Sequence, residues 1–420
     1  MLKTIRKYLK KIGPGIITGA SDDDPSGIAT YSIAGASQGY SLLWSSLLTF
    51  PLMVAIQEMC ARIGVVTEKG LAGNIREHYK SKLFLYSLAF LIIIANTLNI
   101  GADLSGMAAS IQLIIPIDVK LIAIVITILI ILLMVFFPYK FIAANLKWLT
   151  FALFAYIASA LVVKQDWIQI IYNTLVPNFK FDRNSITLII AILGTTISPY
   201  LFFWQTSAEV EEIKEKEQIM HKKIIVTKHE LKQIREEVSI GMFLSNLVMF
   251  AIIATSASTL YKFGIRDIFT ADQAAKALEP IAGKASSYLF TLGIVGTGLL
   301  AIPVLAGSAA YAVSEIFQWR EGLSKSFRQA KSFYAVIIAS TLVGFLMIFA
   351  NINPFKALFY TAVIYGLISP ILIFIILILA NNKKIMGKYT NTLATNTLGI
   401  IALLIMSIAS AFFIFFTIKG

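Results

Sequence analysis

Apolar stretches of about 18 residues or more recur along the whole chain, each long enough to cross a hydrocarbon core of roughly 30 Å as a helix. In lipid every backbone polar group must be satisfied internally, so such a chain folds as membrane-spanning helices or as a closed barrel. Runs of this length fit helices, since barrel strands need only about 10 residues. Composition agrees: of 420 residues 57% are hydrophobic and 14% charged, against about 45–50% and about 25% in soluble domains. A soluble multidomain enzyme is excluded, and an all-α polytopic membrane protein is expected. About eleven spans are read, roughly at 13–40, 42–66, 83–114, 119–137, 147–163, 186–208, 239–260, 286–316, 333–350, 355–380 and 396–417.

Cys60 is the only cysteine, which rules out an internal disulfide and removes any paired spacing for a metal cluster or redox motif. The basic N-terminus runs into the first span without a small-residue cleavage site, so that span is expected to be retained. The formal charge of +13 is mainly topological. With the N-terminus cytoplasmic, most Lys and Arg fall in the inner segments, including Lys140, Lys147, Lys222 and Lys223, and the C-terminus is expected outside. No nucleic-acid partner is expected; the bilayer is. The long polar segment 209–238 interleaves acids and bases, with Glu212 and Lys216 at i,i+4, and reads as an exposed helical extension into the cytoplasm.

Carboxylates within spans cost several kcal/mol and are functional candidates by default. The first span carries Asp22-Asp23-Asp24-Pro25-Ser26-Gly27, and a break is expected near Asp24 to Gly27 because proline removes a donor and disfavours α geometry before it. Unwound backbone at membrane depth is tolerated only where it is buried in protein or lines a wet cavity. The sixth span repeats the pattern at Gly194-Thr195-Thr196-Ile197-Ser198-Pro199-Tyr200. Interrupted helices at corresponding places in two halves point to an inverted-repeat transporter with its site at the midplane. Ser198 and Thr195 either face that site or bond back to their own helix.

Asn96, Asn99 and Asp103 share one face of the third span. Asp103 reads as a proton or ion relay, or as a paired structural acid. Glu58 and Arg62 at i,i+4 read as a structural pair or gate latch. Gln205 and Glu209 either line an exit path or cap the interface, while Tyr200, Phe202, Phe203 and Trp204 read as packing aromatics. All three histidines, His78, His221 and His229, fall outside the spans, and HExxH, P-loop and GxSxG motifs are missing. No enzyme activity and no cofactor is expected.

The run Gly13-Pro14-Gly15 through Asp24-Pro25-Ser26-Gly27-Ile28-Ala29-Thr30, with Ala34-Gly35-Ala36 and Gly39-Tyr40-Ser41-Leu42-Leu43-Trp44, resembles the first span of the NRAMP family of divalent metal transporters. Gly70-Leu71-Ala72, Ile75-Arg76 and Ala102-Asp103-Leu104 extend the resemblance over nearly the whole chain. It implies two inverted five-helix repeats of the amino-acid-transporter (LeuT) type, with metal bound between broken helices 1 and 6. The implied organisation is a basic tail (1–12), a first repeat (13–163), an extracellular loop (164–185), a second repeat (186–380) and a loop with span 11 (381–420).

The family's Asp-Pro-Gly-Asn is here Asp24-Pro25-Ser26-Gly27, so the aspartate is kept and the amide lost. Its Met-Pro-His is Ser198-Pro199-Tyr200; a second histidine position is Gln205, and an acid three residues after Asp103 is Gly106. The pattern is similar to the divergent, NRAMP-related magnesium transporters. The implied metal residues are Asp24, Ser198, Thr195, Asp23 and Gly27, with Asp103, Tyr200, Gln205 and Asn99 on a coupling or permeation path. Carboxylate, hydroxyl and carbonyl ligands with retained water suit hard ions. The expectation is therefore a carrier of Mg²⁺ or Mn²⁺ with weak or no proton coupling. The alternatives are a proton-coupled Mn/Fe symporter or an organic-solute transporter of the same fold. An intramembrane aspartyl protease using Asp24 and Asp103 is disfavoured by the Gly101-Ala102-Asp103-Leu104 flank.

Overall fold

The computed structural model describes residues 13–138, 141, 151–221 and 226–419. The basic tail 1–12 and Lys140, Lys147, Lys222 and Lys223 lie outside the described residues. The chain is helical, with no strand among the described residues. The first span is split into α1 (Pro14–Asp22) and α2 (Pro25–Gln38). Then follow α3 (Trp44–Thr67), α4 (Leu71–His78), α5 (Lys82–Gln112), α6 (Val119–Phe136), α7 (Phe154–Val162) and α8 (Trp167–Leu175). The sixth span is likewise split, into α9 (Arg183–Thr196) and α10 (Pro199–Met220). The longer helices that follow are α11 (Lys228–Ser256), α12 (Ser286–Phe317), α13 (Lys331–Leu346), α14 (Pro354–Asn381) and α15 (Leu393–Lys419).

Nine described stretches are long and apolar enough to cross a membrane. The other two expected spans fall short for separate reasons. The first is divided into halves of 9 and 14 residues, and the fifth enters the described residues only at Phe151. Burial sorts centre from periphery. In the α9–α10 stretch 94% of the apolar window is buried, against 28% in α15, so the broken sixth span lies at the heart of the bundle and α15 faces outward. Helix starts in the connections follow sequence: Asp182 accepts from the Ser185 amide at 2.8 Å, and Thr227 with Glu230 forms a capping box at α11.

Both broken helices are held by close backbone approaches. A Cβ on Gly19 would run into the backbone of Gly241 in α11, and one on Gly241 into the Gly15 carbonyl. Gly194 at the end of α9 meets Ala362 and Gly366 of α14 in the same way. Small residues allow such contact between membrane helices, where packing rather than the hydrophobic effect drives association.

Glu58 and Arg62 of α3 pair at 3.6 Å, and Arg62 also donates to Asn391 in the link before α15, as a structural pair would. The charged segment 209–238 is mostly a continuation of α10 and α11. Glu212 and Lys216 bridge at 2.6 Å, while Glu209 and Val238 at its ends are buried, so only its middle is an extension.

Candidate functional site

At the first break only Asp23 and Asp24 leave helical geometry, which puts the break slightly earlier than the expected Asp24 to Gly27. The reason is local. Pro25 takes the first helical position, where its missing N–H costs nothing, and Asp24 becomes the N-cap of α2. The Asp24 carboxylate accepts from the Ser26 hydroxyl at 2.6 Å and the Gly27 amide at 2.8 Å on one oxygen. On the other it accepts from the Asn99 side-chain amide of α5 at 2.8 Å. Asp24 is 1% exposed, so a buried carboxyl stands where helix dipoles and a neighbouring amide favour its charged form.

The second break is built alike: Ile197 and Ser198 are non-helical and Pro199 opens α10. Here the N-cap does not cap. The Ser198 hydroxyl turns back to the carbonyls of Thr195 and Gly194, at 2.7 and 3.0 Å, so of the two readings of Ser198 the bond to its own helix is the one adopted in this conformation. The two breaks meet at Gly27, where an added Cβ would stand 3.1 Å from the Thr195 hydroxyl oxygen. Carbonyls freed by the breaks are answered across the site: Tyr200 donates to Ser21 O and Ser369 of α14 to Ile197 O, each at 2.8 Å.

The structure brings together Asp24, Gly27, Thr195, Ser198, Tyr200 and Asn99, and places others elsewhere. Asp23 stands at the break by its backbone, but the side chains of Asp22 and Asp23 turn away from it. Both are buried against α11, where the single hydroxyl of Ser245 lies 2.6 Å from Asp22 and 3.2 Å from Asp23. Asp103 is fully buried and neither carboxylate oxygen has a hydrogen-bond partner. Asp24 and the Ser26 amide are among its electrostatic neighbours, the latter without hydrogen-bond geometry. Gln205 lies farther along α10, accepting from Thr18 of α1 and donating to Glu209 at 2.8 Å.

Asn96 accepts from Tyr365 of α14 and donates to Leu305 O of α12, each at 3.0 Å, which fixes α5 between them. Among the described residues no three His, Cys, Asp or Glu side chains converge as a metal cage. The arrangement can offer a hard cation the Asp24 carboxylate at the break, with Asp103 of α5 nearby and amide, hydroxyl and backbone oxygens around them. Ser26, Tyr365, Ser369 and Ser245 escaped the sequence reading, since an isolated hydroxyl in an apolar helix carries no local signal. Ser26, inside the quoted motif, was the one within reach.

On the face where α10 ends, a cleft of about 800 Å³ lies between α10 and the chain after α12, lined by Ser207, Glu211, Lys214, Glu315, Glu321 and Lys325. Glu315 accepts from the Gly73 amide at 2.8 Å, in the first turn of α4, and from Ser207 at 2.9 Å. Burial, then the nearby Glu315 carboxylate, pushes the Glu321 carboxyl from its usual 4.5 up to about 9, Lys214 and Lys325 offsetting part of the rise. The folded state thus binds this proton more tightly than the unfolded one, and stability falls as pH rises between those two values. Glu321→Gln is expected to raise the thermal midpoint over the parent at pH 8, with the gain shrinking towards pH 5. A gain independent of pH would remove Glu321 from this role.

Two helices broken back to back around a buried carboxylate define a transporter of the inverted-repeat, broken-helix class. In fold the chain is similar to the manganese transporter of Eremococcus coleocola, with a TM-score of 0.72 over 97% of this chain and 86% of that one, at 18% identity. It is also similar to Mhp1, a nucleobase-cation-symport-1 family transporter, with a TM-score of 0.54, 12% identity and coverage of 96% and 93%. A curated relative, the divalent metal cation transporter MntH of Caldanaerobacter subterraneus subsp. tengcongensis, is 24% identical over 99% of this chain and 95% of its own length. MntH of Yersinia pestis is 26% identical over 96% and 95%. The natural resistance-associated macrophage protein-like (Nramp) family profile matches residues 15–416. The chain belongs to the Nramp family, whose members are metal transporters and not enzymes.

Proposed function

We propose that this protein moves divalent metal cations through the bilayer by alternating access to a site between the two helix breaks, with Mg²⁺ or Mn²⁺ as cargo. The observation that carries the reading is Asp24, a buried carboxylate held at the first break by Ser26, Gly27 and Asn99. Gly27, Thr195, Ser198 and unwound backbone oxygens complete an all-oxygen surround, and Asp23 contributes through its backbone. Curated relatives named as divalent metal cation transporters support the cargo class. The missing thioether and imidazole support a hard ion. The asymmetry of Lys and Arg supports a cytoplasmic N-terminus and an extracellular C-terminus. Two five-helix repeats, 13–163 and 186–380, frame the site.

Coupling to protons is weak or absent in this reading, because Tyr200 and Gln205 stand where a relay needs titratable groups. Their polar atoms are engaged by Ser21, Thr18 and Glu209. The test is uptake by proteoliposomes loaded with a pH-sensitive dye, under an inward metal gradient with the membrane potential clamped. Metal entry without luminal acidification is expected. Robust acidification, lost in Asp103→Asn, would return the protein to proton-coupled symport. For selectivity, Ser198→Met places a soft ligand beside Asp24 and is expected to raise affinity for Cd²⁺ or Mn²⁺ relative to Mg²⁺. An unchanged ratio in calorimetric titration would mean position 198 does not face the ion.

A further inference from the structure

We infer that Asn99 of α5 is a direct ligand of the transported cation, its side-chain carbonyl supplying the amide oxygen that the first break lacks. The assignment rests on the metal-transport reading above and names a residue of that same site. The unwound segment is Asp23 and Asp24 and α2 opens with Pro25, Ser26 and Gly27, so no amide side chain stands at the break itself. Asn99 is 0% exposed, and its amide nitrogen donates at 2.8 Å to the Asp24 oxygen that Ser26 and Gly27 leave open. That contact fixes the side chain beside the carboxylate. Its carbonyl oxygen is buried and has no hydrogen-bond partner.

One turn along the same face, both oxygens of Asp103 are buried and lack a hydrogen bond, the nearby Ser26 amide being out of bonding geometry. Buried acceptors are normally satisfied, and a group of them left open needs an explanation such as an unseen ion. All three open atoms are acceptors. Another protein donor would answer one of them, whereas a divalent cation with part of its water shell answers all three at once. Two carboxylates, Asp24 and Asp103, also match the charge of a divalent ion, so the cradle on α5 is complementary to the cargo in charge as well as in ligand type. When the ion arrives, the Asn99 amide need only turn so that its oxygen faces the metal beside Asp24.

The alternative role for Asn99, positioning Asp24 through the N–H bond alone, predicts the opposite order among variants. Mg²⁺ and Mn²⁺ binding would be measured by calorimetry on the purified full-length protein, with proteoliposome uptake and thermal unfolding alongside, for the parent, Asn99→Ala and Asn99→Asp. A ligand role predicts that Asn99→Ala weakens binding by at least the roughly tenfold that losing even an outer-shell partner costs. It also predicts that Asn99→Asp, which keeps an oxygen there, binds at least as tightly as the parent. If Asn99→Asp binds more weakly than Asn99→Ala, the residue only positions Asp24 and the assignment falls. Parental binding by a folded Asn99→Ala also overturns it while leaving metal transport standing. A parent that binds and carries no divalent cation overturns the functional reading and this one together.

Discussion

Asp24→Asn is expected to abolish divalent-cation binding and uptake while leaving the fold within about 1 kcal/mol of the parent. Asparagine is as good an N-cap as aspartate, and its side-chain oxygen can still accept from the Gly27 amide that Asp24 now holds at 2.8 Å. What disappears is the negative charge. An ion that gives up water inside a buried site needs a counter-charge; the Asp23 side chain is turned to Ser245, and Asp103 by itself leaves a divalent ion half compensated. Asp24→Ala is a poorer experiment, because it removes the cap of α2 and leaves the Asn99 amide without its acceptor. Calorimetry for binding, with thermal unfolding as the control for fold, decides the matter. Uptake at the parental rate by Asp24→Asn would place the cation elsewhere. Asp22→Asn and Asp23→Asn should do less, since both side chains are turned to Ser245 in α11.

Gly19→Val is the second change with a large expected effect. Position 19 lies in α1 where the helix touches the Gly241 backbone of α11, and a Cβ there has no room without backbone movement. Overpacking of this kind costs about 1–3 kcal/mol or more, and because the obstacle is backbone, α1 must move off α11. The neighbouring Thr18 would then lose its bond to Gln205, and with it the chain Thr18–Gln205–Glu209 that closes this end of the site. The expected result is loss of transport together with a more open face at Gln205. Cys60 is the only cysteine, is buried and lies against Thr206 beside Gln205, so it reports on this face in the parent and in Gly19→Val with Gln205 left in place. Faster reaction with a membrane-impermeant thiol reagent is expected in Gly19→Val. Parental transport by Gly19→Val would show that the close approach is dispensable.

How much of this was legible in advance differs by residue. The spans were legible because lipid admits few backbone solutions, and the two breaks because Asp24-Pro25 and Ser198-Pro199 are local instructions. Even the displacement of the first break towards Asp23 follows from a local rule, the preference of proline for the first helical turn. Asp24 itself was legible, since a carboxylate beside a break in an apolar span has few structural uses. The direction of the other side chains was not. Ser198 and Asp24 occupy the same N-cap position with opposite outcomes, one turned back on its own helix and the other held by three donors.

Sequence by itself thus determined where helices run, where they break and which carboxylate stands at the break, because backbone hydrogen bonding and proline geometry act over a few residues. Tertiary structure alone decided the rest. Asn99 reaches Asp24 across 75 residues of chain, Ser245 reaches Asp22 across 223, and Gln205 reaches Thr18 across 187. A buried polar atom takes whatever donor the neighbouring helix presents. That neighbour is fixed by backbone contacts such as Gly19 on Gly241, which depend on how two distant segments pack rather than on either one alone.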